Sequence, residues 1–209
     1  MKYTIIEDCS PYFIRFKWDG LPELIEFIKA QPREGGTSRL FTEYTHYNFD
    51  FVTAANILDK LPMRNDFDFM LDRVGLFIAN PNQKVVVHKD GPDHRFSINM
   101  LIELYDTCCS THWWTEDQFS EHEKWSNDYT RQIKRRNISL PDPAKSMTAT
   151  MNECILFNTD FWHAWDNEKS TNQRILLTLR VNNPGKMYFD DAKKILFGNV
   201  AESGLLQQS

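Results

Sequence analysis

The sequence predicts a mainly β fold with flanking helices, built as a jelly roll around a cavity. Three observations predict it. Short strand-like segments follow one another from Gly75 to Asn182 without intervening helices, which argues an antiparallel sandwich or roll. Two of those segments alternate cleanly between apolar and polar side chains. Amphipathic helical stripes fall before and after this region.

In chain order, Tyr3–Glu7 and Tyr12–Trp18 read as two short strands. Pro22–Ile28 reads as a helix with Pro and Glu in its first turn and Asp19 or Gly20 at its entry. REGGTS, residues 33–38, reads as a loop. Phe51–Leu61 carries apolar residues at helical spacing, and Phe67–Arg73 predicts a further helical turn or two. Gly75–Ala79, Lys84–His88 and Arg95–Glu103 are then expected as strands, separated by Asn-Pro-Asn and Gly-Pro turns. Cys108–Thr115 is another. Residues 116–146 turn acidic, then basic, and predict an insertion with some helix. Strands resume at Thr148–Met151, Cys154–Phe157, Phe161–Trp165 and Gln173–Asn182, and a helix over Phe189–Phe197 precedes the polar tail SGLLQQS.

The expected organisation is one domain over 1–209. A helical part, 1–73, packs on a jelly-roll core, 74–182, which carries the insertion 116–146. A helix and tail, 183–209, close the chain. A length of 209 residues with 41% apolar and 25% charged residues suits a single globular unit with a sizeable core. No apolar run approaches the roughly 18 residues that span a bilayer, and the start of the chain lacks a long apolar stretch, so a cytoplasmic protein is expected. The four Cys show no metal-ribbon or disulfide spacing and are expected as free thiols. A net charge of −5 makes nucleic acid an unlikely partner. The basic run Arg131–Arg136 is expected to be a solvated helix face. Oligomeric state is not fixed by anything in the sequence.

Strand faces carry the functional argument. In RFSINMLIE, Phe96, Ile98, Met100 and Ile102 share one face, and Arg95, Ser97 and Asn99 the other. In QRILLTLRVN, Ile175, Leu177, Leu179 and Val181 share one face. Arg174, Leu176, Thr178 and Arg180 share the other. A sheet with one wet face would account for this. So would a roll whose apolar face is covered by the helices and whose polar face lines a ligand cavity, and the residues on the polar faces favour the second. His88 and Asp90 are two positions apart at a strand end and point the same way. His163, between Trp162 and Trp165 on another strand-like segment, is the best third ligand. Two His and one carboxylate on one face of an ion form the facial triad of non-haem iron(II) sites. Arg174, on the next strand, is a guanidinium suited to a carboxylate partner, with Arg180 as the alternative. His94 is a lesser ligand candidate. His112, Trp162 and Trp165 are expected to be structural, and Arg95 to be either a substrate contact or a surface pair.

His88-Lys89-Asp90, then His163, then Arg174 resembles the HxD…H…R pattern of Fe(II)/2-oxoglutarate-dependent oxygenases, which share a double-stranded β-helix, or cupin-like, core. The strings HKDGPDHRFSINMLIE and CILFNTDFWHAWDNEKSTNQRILLTLRV are similar to small members near prolyl and aspartyl/asparaginyl hydroxylases, some of them encoded by bacterial viruses. The resemblance covers roughly residues 75 to 182. It implies that His88, Asp90 and His163 hold Fe(II) and that Arg174 pairs with the far carboxylate of 2-oxoglutarate. Asn99 and Thr178 become further co-substrate or substrate contacts. Thr178 enters because Leu176 stands where the family often has Ser or Thr. The implied reaction uses O2 to hydroxylate an unactivated C–H bond, releasing succinate and CO2. The implied partner is a peptide or protein, or else a small molecule. The insertion 116–146 and residues 32–50, with Arg33, Arg39, Tyr44 and Tyr47, could shape a peptide groove. A cupin-type metal-dependent isomerase or epimerase would need the ligands without Arg174. A non-catalytic jelly-roll module would need none of them to converge.

Overall fold

The computed structural model describes residues 2–32, 37–40, 44–84, 86–90, 94–104, 109–120, 124–126, 130–133, 140–182 and 187–198. Among these residues the chain runs β1 (Thr4–Cys9), β2 (Phe13–Lys17), α1 (Leu21–Lys29), β3 (Thr37–Leu40), β4 (Tyr44–Asn48), α2 (Phe51–Asp59), β5 (Gly75–Ala79), β6 (Gln83–Lys84), β7 (His88–Asp90), β8 (Phe96–Leu104) and β9 (Ser110–Trp114). It continues through β10 (Lys124–Ser126), β11 (Thr130–Ile133), β12 (Lys145–Thr148), β13 (Cys154–Asn158), β14 (Trp162–Asn167), β15 (Arg174–Arg180) and α3 (Phe189–Phe197). Two antiparallel sheets result. The larger has eight strands in the order β1-β2-β13-β8-β15-β5-β4-β3. The smaller has the order β10-β11-β7-β14-β9-β12, with β6 also paired to β14. At the centre of each sheet the neighbours are far apart in sequence, as in β2-β13-β8-β15-β5 and β7-β14-β9, which a roll requires.

Alternation along β8 and β15 decides which way the large sheet faces. Ile98, Met100 and Ile102, with Ile175, Leu177 and Leu179, are buried in one core cluster that also contains side chains of α1, α2 and α3. The helices therefore cover the outer face. Ser97 and Asn99, with Leu176, Thr178 and Arg180, turn inward and line a cavity between the sheets. Each helix end has a local cause. Gly20 caps α1, with Pro at the start and Glu23 in the first turn. The Asp50 carboxylate accepts the Val52 and Thr53 backbone N–H groups at the start of α2. The Tyr188 N–H donates to the Asp191 carboxylate at 2.9 Å at the start of α3.

Several expectations are corrected. The first 73 residues are not mainly helical, because β1–β2 and β3–β4 extend the two edges of the large sheet. Helix over Phe67–Arg73 shrinks to one 3₁₀ turn, Leu71–Arg73, and Phe69 instead bridges to Val181. Where it is described, the insertion supplies a 3₁₀ turn at Asp117–Phe119 and the strands β10 and β11, and β11 pairs with β7. Val86 and Val87 of the valine run are not in a strand, and Val85 lies outside the described residues. The ladder stops at Lys84 and restarts at His88. In the gap, the Val86 carbonyl accepts a hydrogen bond from a side chain rather than from a strand, and Val87 packs against Trp114, Phe119 and Trp162. Residues 33–36 of the expected loop, with Arg33, lie outside the described residues. So do Cys108, Gly91–Asp93, the polar tail, and the side chains of Arg39 and of the basic run. Cys9, Cys109 and Cys154 are free thiols. Among the described residues no helix is long and apolar enough to cross a membrane.

The two faces of β15 predict different costs for neighbouring truncations. Leu177→Ala, on the fully buried helix-covered face, should destabilise by about 2–5 kcal/mol. Leu176→Ala, facing the cavity, should cost much less. Chemical denaturation of both variants measures the contrast, and equal costs would contradict the assigned faces.

Candidate active site

Three strands of the smaller sheet, β7, β14 and β9, and two of the larger, β8 and β15, build the site. β7 presents His88 and Asp90 on one face, and β14 presents His163. The strands pair so that His163 lies directly opposite His88. The two imidazole centroids are 4.3 Å apart, and His88 Nε2 lies 3.9 Å from Asp90 Oδ1. One ligand atom from each of His88, Asp90 and His163 falls within 4.8 Å of the others.

Both imidazoles are held in one tautomer. His88 Nδ1–H donates to the Val86 carbonyl and His163 Nδ1–H to the Phe161 carbonyl, each at 2.9 Å. A carbonyl can only accept, so Nδ1 carries a proton in each ring, which leaves Nε2 as the atom that can ligate a metal. Burial, and then the neighbouring His88, pushes the His163 pKa down to about 3, against the opposing pull of Asp90. His163 is therefore neutral. Burial alone would raise the Asp90 pKa. Arg180, His163, His88 and His94 pull it the other way and prevail, so it lies below the ordinary value and the group is a carboxylate. Two imidazoles and a carboxylate form a donor set that fits a divalent cation of the iron(II) kind.

The cavity measures about 100 Å³. Arg174, only 4% exposed, extends from β15 into it. Its Nη2 lies 3.4 Å from Thr111 Oγ1 on β9, and its Nε has no hydrogen-bond partner. Burial lowers its pKa from the usual guanidinium value, though an arginine remains charged. Thr111 sits opposite Trp165, which is two residues beyond His163 on the same face. The guanidinium thus lies about 7 Å along the strand from the triad. Arg180 is at the other end of β15, with Nη2 3.5 Å from Asp90 Oδ2. Asn99 and Thr178 are opposite each other in the β8–β15 ladder, both line the cavity, and Asn99 Oδ1 is buried without a partner.

Other sequence candidates fall elsewhere. His94 is half-buried beside the triad, and its backbone carbonyl accepts the Thr159 hydroxyl. His112 lies between the hydroxyls of Ser110 and Ser146, at 2.9 and 2.8 Å. Arg95 pairs with Asp160 at 2.6 Å. Trp162 is fully buried on the far side of β14, its Nε1–H donating to Glu116. Trp165 is different: it lines the cavity, as do Tyr44 and Phe77. For Trp165 the signal was its even spacing from His163. Tyr44 was expected to help shape a groove, and it lines the cavity; Phe77 carried no signal apart from being aromatic. Tyr47, proposed for a groove, is buried in the core.

The depressed His163 pKa predicts a pH dependence of folding. An unfolded imidazole takes up its proton near 6.5, but the folded one does so only near 3. Between those values the unfolded state binds more protons, so His163's contribution is complete above about pH 6.5 and is lost as pH falls towards 3. Denaturant midpoints of the metal-free protein should fall from pH 7 to pH 4.5. They should fall less in His163→Gln, and an equal fall in both proteins would contradict the assignment.

No protein-family model matches the chain, and no curated protein matches it. Solved structures do. The chain is similar to an oxidoreductase of the 2OG-Fe(II) oxygenase family from Burkholderia pseudomallei, with a TM-score of 0.53 at 10% identity, over 83% of this chain and 85% of that one. It is similar to HygX from Streptomyces hygroscopicus, solved with nickel, 2-oxoglutarate and hygromycin B bound, with a TM-score of 0.52 at 8% identity, over 81% and 82% of the two chains. A likeness to the oxalate decarboxylase of Lactobacillus farciminis has a TM-score of 0.39 at 8% identity; it takes in 73% of this chain, which spans only 32% of that one. At these identities the likeness is one of fold. The chain is a jelly-roll β protein with the fold of the 2-oxoglutarate–iron(II) oxygenases, and a His–Asp–His cluster able to hold a metal ion lies in its cavity.

Proposed function

We propose that the protein is an Fe(II)- and 2-oxoglutarate-dependent oxygenase that hydroxylates an unactivated C–H bond of a peptidyl or amino-acid side chain. The observation that carries this is Arg174: a buried guanidinium with an unpartnered Nε, in the same cavity as the triad and one two-residue step along from His163. Leaving a buried donor unpaired costs about 1–3 kcal/mol. A dicarboxylate anchored at the triad by its keto-acid end would bring its far carboxylate to that guanidinium. A cupin-type isomerase would make use of the triad and leave Arg174 without a purpose.

In this reading His88, Asp90 and His163 hold iron(II), with their Nδ1–H bonds fixing the ring orientations. Arg174 and the Thr111 hydroxyl orient the co-substrate through a charge-assisted pair. Asn99 and Thr178 offer an amide and a hydroxyl to whatever fills the middle of the cavity. Phe157, whose ring packs edge-on to His163 at 5.0 Å, keeps water from that side. Bound iron(II) supplies the oxidising step, in which R–H, 2-oxoglutarate and O2 give R–OH, succinate and CO2. A reducing compartment such as the cytosol fits this reading, since it keeps both the iron and the buried thiols reduced.

Anaerobic addition of Fe(II) and 2-oxoglutarate should produce a weak visible absorption band, and admission of air should release succinate slowly. His163→Ala should abolish both. Arg174→Ala should raise the 2-oxoglutarate requirement about ten- to a hundred-fold, the loss of a charged hydrogen bond, while iron binding changes little. Undiminished succinate release by His163→Ala would end the ligand assignment.

A further inference from the structure

β15 carries two guanidiniums on its cavity face, and their surroundings differ. Six residues of strand put about 20 Å between their backbones. Arg174 is deeply buried against Thr111, whereas the Arg180 side chain keeps 21% of its exposure. Arg180 meets Asp90 through one nitrogen at 3.5 Å, on the carboxylate oxygen turned away from His88. Asp90 is its one ion-pair partner among the described residues. Ser97 lies opposite it in the ladder, and Thr159 and Phe157 line the same end of the cavity; all are neutral. Arginine presents five N–H donors in a planar fork, so, as far as the described residues go, most of this fork is available to a ligand.

Charge points the same way, and this step rests on the oxygenase reading. Asp90 is the only carboxylate among the described residues lining the cavity. With iron(II) and 2-oxoglutarate bound, the positive charges are two on the metal and one on each of Arg174 and Arg180. The negative charges are one on Asp90 and two on the co-substrate. Counted over the described residues, one positive charge is left over, at the more open end. A charge held in a cavity requires a partner.

We propose that Arg180 selects the substrate by binding a free carboxylate on it, as a two-point pair across the guanidinium fork. The substrate is then a free amino acid, or the C-terminal residue of a peptide, rather than an internal residue of a protein. Because Arg180 touches Asp90, the carbon attacked is only a few bonds from that carboxylate.

The test loads the protein anaerobically with Fe(II) and 2-oxoglutarate and titrates matched pairs of probes. N-acetyl-leucine, N-acetyl-proline and N-acetyl-asparagine are compared with their primary amides, and binding is read as a perturbation of the visible band. At least one acid should bind ten-fold or more tightly than its amide. That ratio should fall close to one in Arg180→Gln and persist in Arg180→Lys. Because the ratio is taken within one protein, any weakening of iron binding through Asp90 cancels. Acids that bind no better than amides overturn the proposal, as does a ratio that survives Arg180→Gln. A ten-fold rise in the 2-oxoglutarate requirement of Arg180→Gln, with the ratio intact, reassigns Arg180 to the co-substrate. A wild-type protein that gives neither band nor succinate instead removes the oxygenase reading, and the charge count with it.

Discussion

The register between β7 and β14 is the constraint on which the site depends. These strands share a single paired position, His163 opposite His88. Strand side chains alternate in direction, so a slip of one residue would turn His163 out of the cavity and Trp162 into it. One pair cannot fix this alignment. It is fixed from the sides. β9 pairs with β14 from Trp162 to Asp166, and β6 pairs with Asp166 and Asn167. On the outer face, Trp162 is locked among Val87, Trp114 and Phe119 and donates to Glu116. The large aromatic beside the ligand histidine thus acts as its register pin.

That division of labour explains what was legible in the sequence. The β8 and β15 faces could be read because residue type changes with every step, and the helices were found to lie on the apolar side. The bounds of β5 and α3 match the expected ones for the same reason: their patterns begin and end sharply. The edges were less legible. β4, Tyr-Thr-His-Tyr-Asn, has no apolar alternation, and becomes a strand by pairing with β5. The charged insertion looked helical in composition, but β11 finds the free edge of β7. The valine run misled in the opposite direction. β-Branched residues favour a ladder, but the Val86 carbonyl is taken by His88.

The site itself was legible where chemistry and spacing coincide. His88, Asp90 and His163 are titratable groups at strand positions, and the fold brings them within 4.8 Å. Trp165 and Phe77 were not legible as cavity residues, because an aromatic on a strand reads equally well as core. Arg174 and Arg180 could not be told apart, since they share a face. Their neighbours distinguish them: Thr111 is a neutral hydroxyl beside one, and Asp90 a carboxylate beside the other.

A cavity that holds an unpartnered guanidinium nitrogen and an unpartnered amide oxygen works against folding. Arg174 Nε and Asn99 Oδ1 would each be better solvated in the unfolded chain. The fold tolerates them because the two faces of the same strands are energetically separate. Leu177 and Leu179 on β15, like Ile98 and Met100 on β8, are fully buried beneath helices, and hydrophobic burial there offsets what the inner face lacks. Buried polar atoms without a partner occur elsewhere too, as at Asn48 Oδ1 and Trp113 Nε1, but Arg174 Nε and Asn99 Oδ1 are the two that belong to residues lining the cavity, the side open to a ligand. Unmet hydrogen bonds that line a cavity mark where binding free energy is to be gained. They also explain why a chain with so little sequence likeness to its structural neighbours can keep their architecture: the outer face needs only apolar residues of suitable size, whereas the inner face needs particular chemical groups.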